Sequence, residues 1–75
     1  MKYDVVQFNE NHKWAGCLGI ITEVKSCGNN VLRFMVAVPV VGKGTAYIYV
    51  SSEENAIEFI GKARLIPKEQ EDANK

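Results

Sequence analysis

Apolar residues recur in short runs separated by polar, glycine- or asparagine-bearing breaks. No stretch sustains the spacing of a long amphipathic helix. The first run is residues 4–8, with Val5, Val6 and Phe8. A polar loop over 9–16 follows and carries His12, Lys13 and Trp14. The second run, 17–25, is rich in β-branched residues and predicts a strand. Ser26, Cys27, Gly28, Asn29 and Asn30 then form a strong turn cluster. The third run, 31–38, alternates, with Leu32, Phe34, Val36 and Val38 on one face and Arg33, Met35 and Ala37 on the other. Gly42, Lys43 and Gly44 mark a turn before the fourth run, 45–50. There Ala46, Ile48 and Val50 face one way, and Tyr47 and Tyr49 the other. The third and fourth runs predict an antiparallel hairpin with one apolar face. A loop over 40–44 sets Met35 opposite Tyr49, Ala37 opposite Tyr47, and Arg33 near Ser51. The expected core is Leu32, Phe34, Val36, Ile48 and Val50.

Ser51 and Glu54 fit a capping box, and the run behind them is too short for an independent helix. A single helical or 3₁₀ turn is expected near residues 52–55. Residues 56–60 alternate as a short strand, Gly61 breaks it, and residues 63–66 add a final strand stopped by Pro67. Residues 68–75 are polar except for Ala73 and predict a frayed tail. The expected organisation is one domain over 1–67 with that tail behind it. Its five or six short strands, locally connected, point to an all-β fold closed into a small barrel, because closure removes sheet edges.

The residues 4–8, followed by Gly16, Gly19 and Ile21, resemble a KOW-type motif on an SH3-like barrel. That pattern opens with an Asp-x-Val-x-aliphatic strand, here with Phe8 in the aliphatic position, and enters its second strand through Gly-x-x-Gly-x-Val. The later stretch from Glu54 to Gly61 resembles the closing strand of such barrels. The likeness covers residues 4–61, and the chain as a whole resembles small single-domain proteins of phages and prophages. The resemblance implies an SH3-like barrel that contacts RNA or protein, as in transcription and translation factors and ribosomal proteins. Gly16 and Gly19 first serve the bending and close approach of strands in such a barrel.

Charge changes the picture of the partner. Nine basic residues balance nine acidic ones over 75 residues, and residues 1–67 carry seven basic and six acidic side chains. A strong nucleic-acid binder needs a basic excess to neutralise several phosphates. The expected function is therefore a non-enzymatic binding module for a protein, contacting it through Trp14, Tyr47, Tyr49 and the first long loop. The outer face of the hairpin adds Met35 and Arg33 to the tyrosines, a mixed surface suited to protein contact or to stacking a base. A KOW-like RNA or single-strand binder using the tyrosines with Lys13, Arg33 and Lys43 is the alternative. Trp14 is either an exposed anchor or a plug at one barrel end.

Catalytic chemistry has no constellation here. His12 is the only histidine, no Cys-x-x-Cys pair exists, and Glu53, Glu54 and Glu58 suit capping and solvated roles. No enzyme activity, metal or cofactor is expected. Cys17 and Cys27 flank the second run, roughly 30 Å apart along an extended strand, whereas a disulfide needs Cα atoms within about 7 Å. Two unlinked cysteines are expected, serving as small apolar side chains. At this length a chain buries only roughly 60 % of its unfolded surface, too little for a deep active site. No apolar run approaches a membrane span and the start lacks a signal-peptide pattern, so a cytoplasmic location is expected.

Overall fold

The structure, a computed structural model, describes residues 1–63. Five strands, β1 (Asp4–Phe8), β2 (Leu18–Ser26), β3 (Leu32–Val40), β4 (Gly44–Ser51) and β5 (Ile57–Lys62), form one antiparallel sheet in the order β4-β3-β2-β1-β5. Short turns make β2, β3 and β4 neighbours, and β5 returns to pair with β1. The fold is thus all-β, and among the described residues β4 and β5 are its two edges. These edges do not hydrogen-bond to each other there, so the sheet is open in its ladder.

The sheet nevertheless coils over its own inner face. Phe34 on β3 meets Phe59 on β5 edge to face, with ring centroids 6.3 Å apart, although β2 and β1 lie between those strands. Val6, Phe8, Ile21, Phe34, Val36, Val38, Val50 and Ala56 are buried in a single cluster. Each fully buried valine or larger side chain contributes about 1.5–3 kcal/mol relative to exposure. Of the expected core, Phe34, Val36 and Val50 are buried; Leu32 and Ile48 are half-buried and pack against it. The contributions of β1 and β2 arise because the coil brings their inner faces onto the hairpin.

The hairpin register is the one the alternation implies. Arg33 pairs with Ser51, Met35 with Tyr49 and Ala37 with Tyr47. β3 runs on to Val40, beyond the expected end at residue 38. Pro39 is accommodated because the β2–β3 ladder stops at Ile20 and Ala37, so Pro39 pairs with β4 alone.

Two irregularities bend the strands. Ile21 pairs with Val36 and Glu23 with Met35, which leaves Thr22 as an extra residue in β2. Its hydroxyl donates to the Met35 carbonyl at 3.2 Å. The bulge lets Ile21 and Val24 both face the core despite their three-residue spacing. In β5, Val5 pairs with Gly61 and Val6 with Phe59, leaving Ile60 as the extra residue. Gly61 therefore does not break the strand, contrary to expectation. It lies inside β5, and Lys62 beyond it pairs with Asp4 and reaches its carboxylate at 3.2 Å.

The turn between β4 and β5 is a 3₁₀ turn, Ser52–Glu54, closed by a capping box. The Ser51 hydroxyl accepts from the Glu53 amide at 3.2 Å, and the Glu54 carboxylate accepts from the Ser51 amide at 2.8 Å. The Ser52 hydroxyl accepts from the Leu32 amide at 3.0 Å and so ties the turn to β3. Cys17 and Cys27 are free, as expected, but both are exposed, so neither serves as a small core side chain. They fall just outside the ends of β2, where the chain enters its loops. The expected strand over 63–66, beyond Ala63, and the expected tail over 68–75 lie outside the described residues. Among the described residues no helix is long and apolar enough to cross a membrane.

Candidate functional site

Each strand puts alternate residues outward, and the ladder sets them in rows. One row crosses four strands through Tyr47, Ala37, Ile20 and Val5. Beside it Tyr49 stands opposite Met35, and Met35 opposite Glu23. On its other flank Val5, Leu18, Ile20 and Pro39 line a shallow apolar depression of about 190 Å³. Tyr47, Tyr49 and Leu18 are each more than half exposed. The outer face of the sheet is therefore apolar from the β4 edge across to β1.

The rim carries both signs of charge. At one end Lys25 stands opposite Arg33 and pairs with Glu23 at 3.6 Å. The Arg33 guanidinium lies over the Tyr49 ring, 5.4 Å from its centroid, which covers part of one aromatic face. At the other end Gln7 stands opposite Glu58, and Glu10 lines the same small cleft as both.

The first loop is held in place. The side-chain amides of Asn9 and Asn11 donate to the Asn55 carbonyl at 2.8 and 3.0 Å, and the Asn9 amide donates to the Ala56 carbonyl. His12 stacks on Phe8 with centroids 4.5 Å apart, and its Nδ1 accepts from the Trp14 amide at 3.0 Å. That nitrogen is committed to the loop backbone, which makes His12 a support for Trp14. Trp14 is half-buried against the core and also lines a groove of about 380 Å³ with Lys13, Cys17, Val38, Pro39 and Val41. The indole packs against the core on one side and lines the groove on the other. Pro39 belongs to this groove and to the depression beside Leu18, so the two surfaces are continuous.

Of the expected site residues, Tyr47, Tyr49, Met35 and Arg33 come together on the outer face. Lys13 and Trp14 join through the Pro39 groove, and His12 lies beneath them. Val5, Leu18, Ile20 and Pro39 are additional. For Leu18 and Ile20 the signal is the unbroken apolar run from Cys17 to Ile21, which marks a strand with apolar residues on both faces, whereas their alignment with Val5 follows only from the strand register. Among the described residues no three of His, Cys, Asp and Glu gather as a metal site would require. The chain matches no family model, and no curated protein or solved structure matches it.

Proposed function

We propose that this chain is a non-enzymatic binding module that contacts a protein partner through its outer sheet face and the Trp14 groove. The observation that carries the reading is the continuous apolar surface from Tyr49 through Ile20 and Pro39 to Trp14, rimmed by charges of both signs. Apolar, aromatic-rich surface inside a polar rim is the anatomy of protein interfaces. A scaffold of SH3-like type is part of the reading. The meander order, the return of β5 to β1, the 3₁₀ turn before β5 and the shared inner core all support it.

A KOW-like nucleic-acid site needs a basic stripe beside the tyrosines. Here the basic pair Lys25 and Arg33 is partly neutralised by Glu23, which pairs with Lys25, and Glu10 and Glu58 border the other end. Quantitative cross-linking capture from host extract, comparing wild type with Leu18→Glu and Tyr47→Ala, tests the proposal. The same proteins should be lost with both variants, and their binding should change little between about 50 and 200 mM salt. Truncating an anchor should weaken binding by about 2 kcal/mol, or roughly thirtyfold. Tight binding of labelled oligonucleotides that Lys43→Ala abolishes would overturn it in favour of RNA or single-stranded DNA.

A further inference from the structure

The two edges of the sheet are guarded very differently. β5 carries Glu58 and Lys62, a glycine, and the Ile60 bulge, all devices that discourage a further strand from pairing. β4 reads Gly-Thr-Ala-Tyr-Ile-Tyr-Val-Ser, with no charge and no proline, and its ladder to β3 has no register shift. Among the described residues β3 is its only hydrogen-bonded neighbour, and no other backbone bond engages residues 45–50. On the inner face Val36 is fully buried, whereas its cross-strand partner Ile48 is only half-buried. The edge position of β4 leaves one flank of Ile48 uncovered.

We infer that β4 pairs antiparallel with β4 of a second copy, joining two sheets into one across a two-fold axis at Ile48. The strand is complementary to itself about that point. Tyr47 then stands opposite Tyr49 of the second copy on the outer face, twice over. Ala46 stands opposite Val50, and Ile48 opposite Ile48, on the inner face. No like charges meet along the strand. At each end the same register brings Lys43 toward Glu53 of the second copy, and both side chains are exposed. The pairing is isologous and consumes both unguarded edges, which among the described residues leaves only the guarded β5 edges outside. Assembly thus stops at two chains. It also doubles the tyrosine surface, but it does not rest on the partner-binding reading, whose other anchors, Leu18 and Trp14, lie away from the β4 edge.

Sedimentation equilibrium over a concentration series up to millimolar tests the inference. The mass should rise toward twice the chain's 8.4 kDa. Y47K/Y49K sets lysine opposite lysine across the axis and should remain at one chain mass. Y47K/Y49E sets lysine opposite glutamate twice and should restore the dimer; circular dichroism confirms that each variant is folded. Wild-type protein needs no substitution for the second measurement: hydrogen exchange at alternate amides of residues 45–50 should slow as concentration rises. A wild-type mass that stays at one chain overturns the proposal. So does a dimer that Leu18→Glu dissolves while Y47K/Y49K leaves it intact, because that is face packing. Exchange in β4 that ignores concentration overturns it as well. None of these results would bear on whether a foreign partner binds the outer face.

Discussion

Gly19 is the position where the coil of the sheet leaves no room for a side chain. A methyl group built there would lie 2.5 Å from Cγ1 of Val36, 3.0 Å from the Ala37 carbonyl oxygen and 3.1 Å from Cγ2 of Val38. Val36 is fully buried and Val38 nearly so, and the third neighbour is backbone, so none can swing aside cheaply. Overpacking a filled core costs about 1–3 kcal/mol. Alanine also stiffens the unfolded chain, which offsets about 0.4–1 kcal/mol. The net expectation for Gly19→Ala is a loss of about 1–2 kcal/mol, a fall of roughly 4–16 °C in Tm for a domain this small. Thermal and urea unfolding, followed by far-UV circular dichroism and Trp14 fluorescence, measure it. The double variant Gly19→Ala/Val36→Ala isolates the cause. Val36→Ala removes the closest obstacle and leaves a space that the new methyl partly fills, so the double variant should lose less than the sum of the two singles. An alanine variant as stable as wild type, or additivity in the double variant, would refute the close approach of β2 and β3.

Phe34→Ala removes a buried ring that also meets Phe59, and should cost about 3–5 kcal/mol, most of the stability available to a small domain; a denaturation midpoint near wild type contradicts it. Ser51→Ala deletes the hydroxyl that accepts from Glu53 and should cost about 1 kcal/mol, read as a lowered Tm. Cys17 and Cys27 should both react with a maleimide in the folded protein, seen as two added masses without denaturant; labelling at one site contradicts their exposure.

The hairpin was legible because strict alternation over 32–38 and 46–50 fixes which residues share a face, and the glycine turn fixes which residues face each other. The capping box was legible because it is a local interaction between Ser51 and Glu54. β2 was harder to read. Ile20, Ile21 and Val24 fall on both parities, and only the bulge at Thr22, enforced by pairing with β3, reconciles Ile21 and Val24 on one face. The continuation of β5 through Gly61 likewise depends on pairing with β1, a contact more than fifty residues away in sequence. Glycine weakens a strand by propensity, yet an edge position with open space around it asks little of its side chain. Residue type predicts small apolar side chains at the cysteines because free cysteine is usually buried, whereas their exposed positions follow from where β2 ends. At the candidate site Tyr47, Tyr49, Met35 and Arg33 followed from hairpin parity alone. Leu18, Ile20 and Val5 required the β1–β2–β3 register, which no local pattern contains.

β2 ties the stability of the domain to its proposed function. An antiparallel sheet with one buried face is satisfied by apolar residues on that face only. In β2, Gly19 and Ile21 meet that requirement on the inside, and Leu18 and Ile20 exceed it on the outside. The outer residues do not belong to the buried cluster, so folding does not account for them. Ile20 lines up instead with Val5, Ala37 and Tyr47 from three other strands and Leu18 flanks that row, although nothing in the described chain covers Leu18 or Tyr47. An apolar row assembled from four strands needs all four in register, so its composition is a property of the folded sheet. The same argument separates the two faces experimentally. Substitutions at Gly19, Val36 or Phe34 act on folding, and whatever binding they remove is lost with the fold. Polar substitutions at Leu18, away from the β4 edge, leave the buried cluster intact and remove only the surface on which the proposed partner rests.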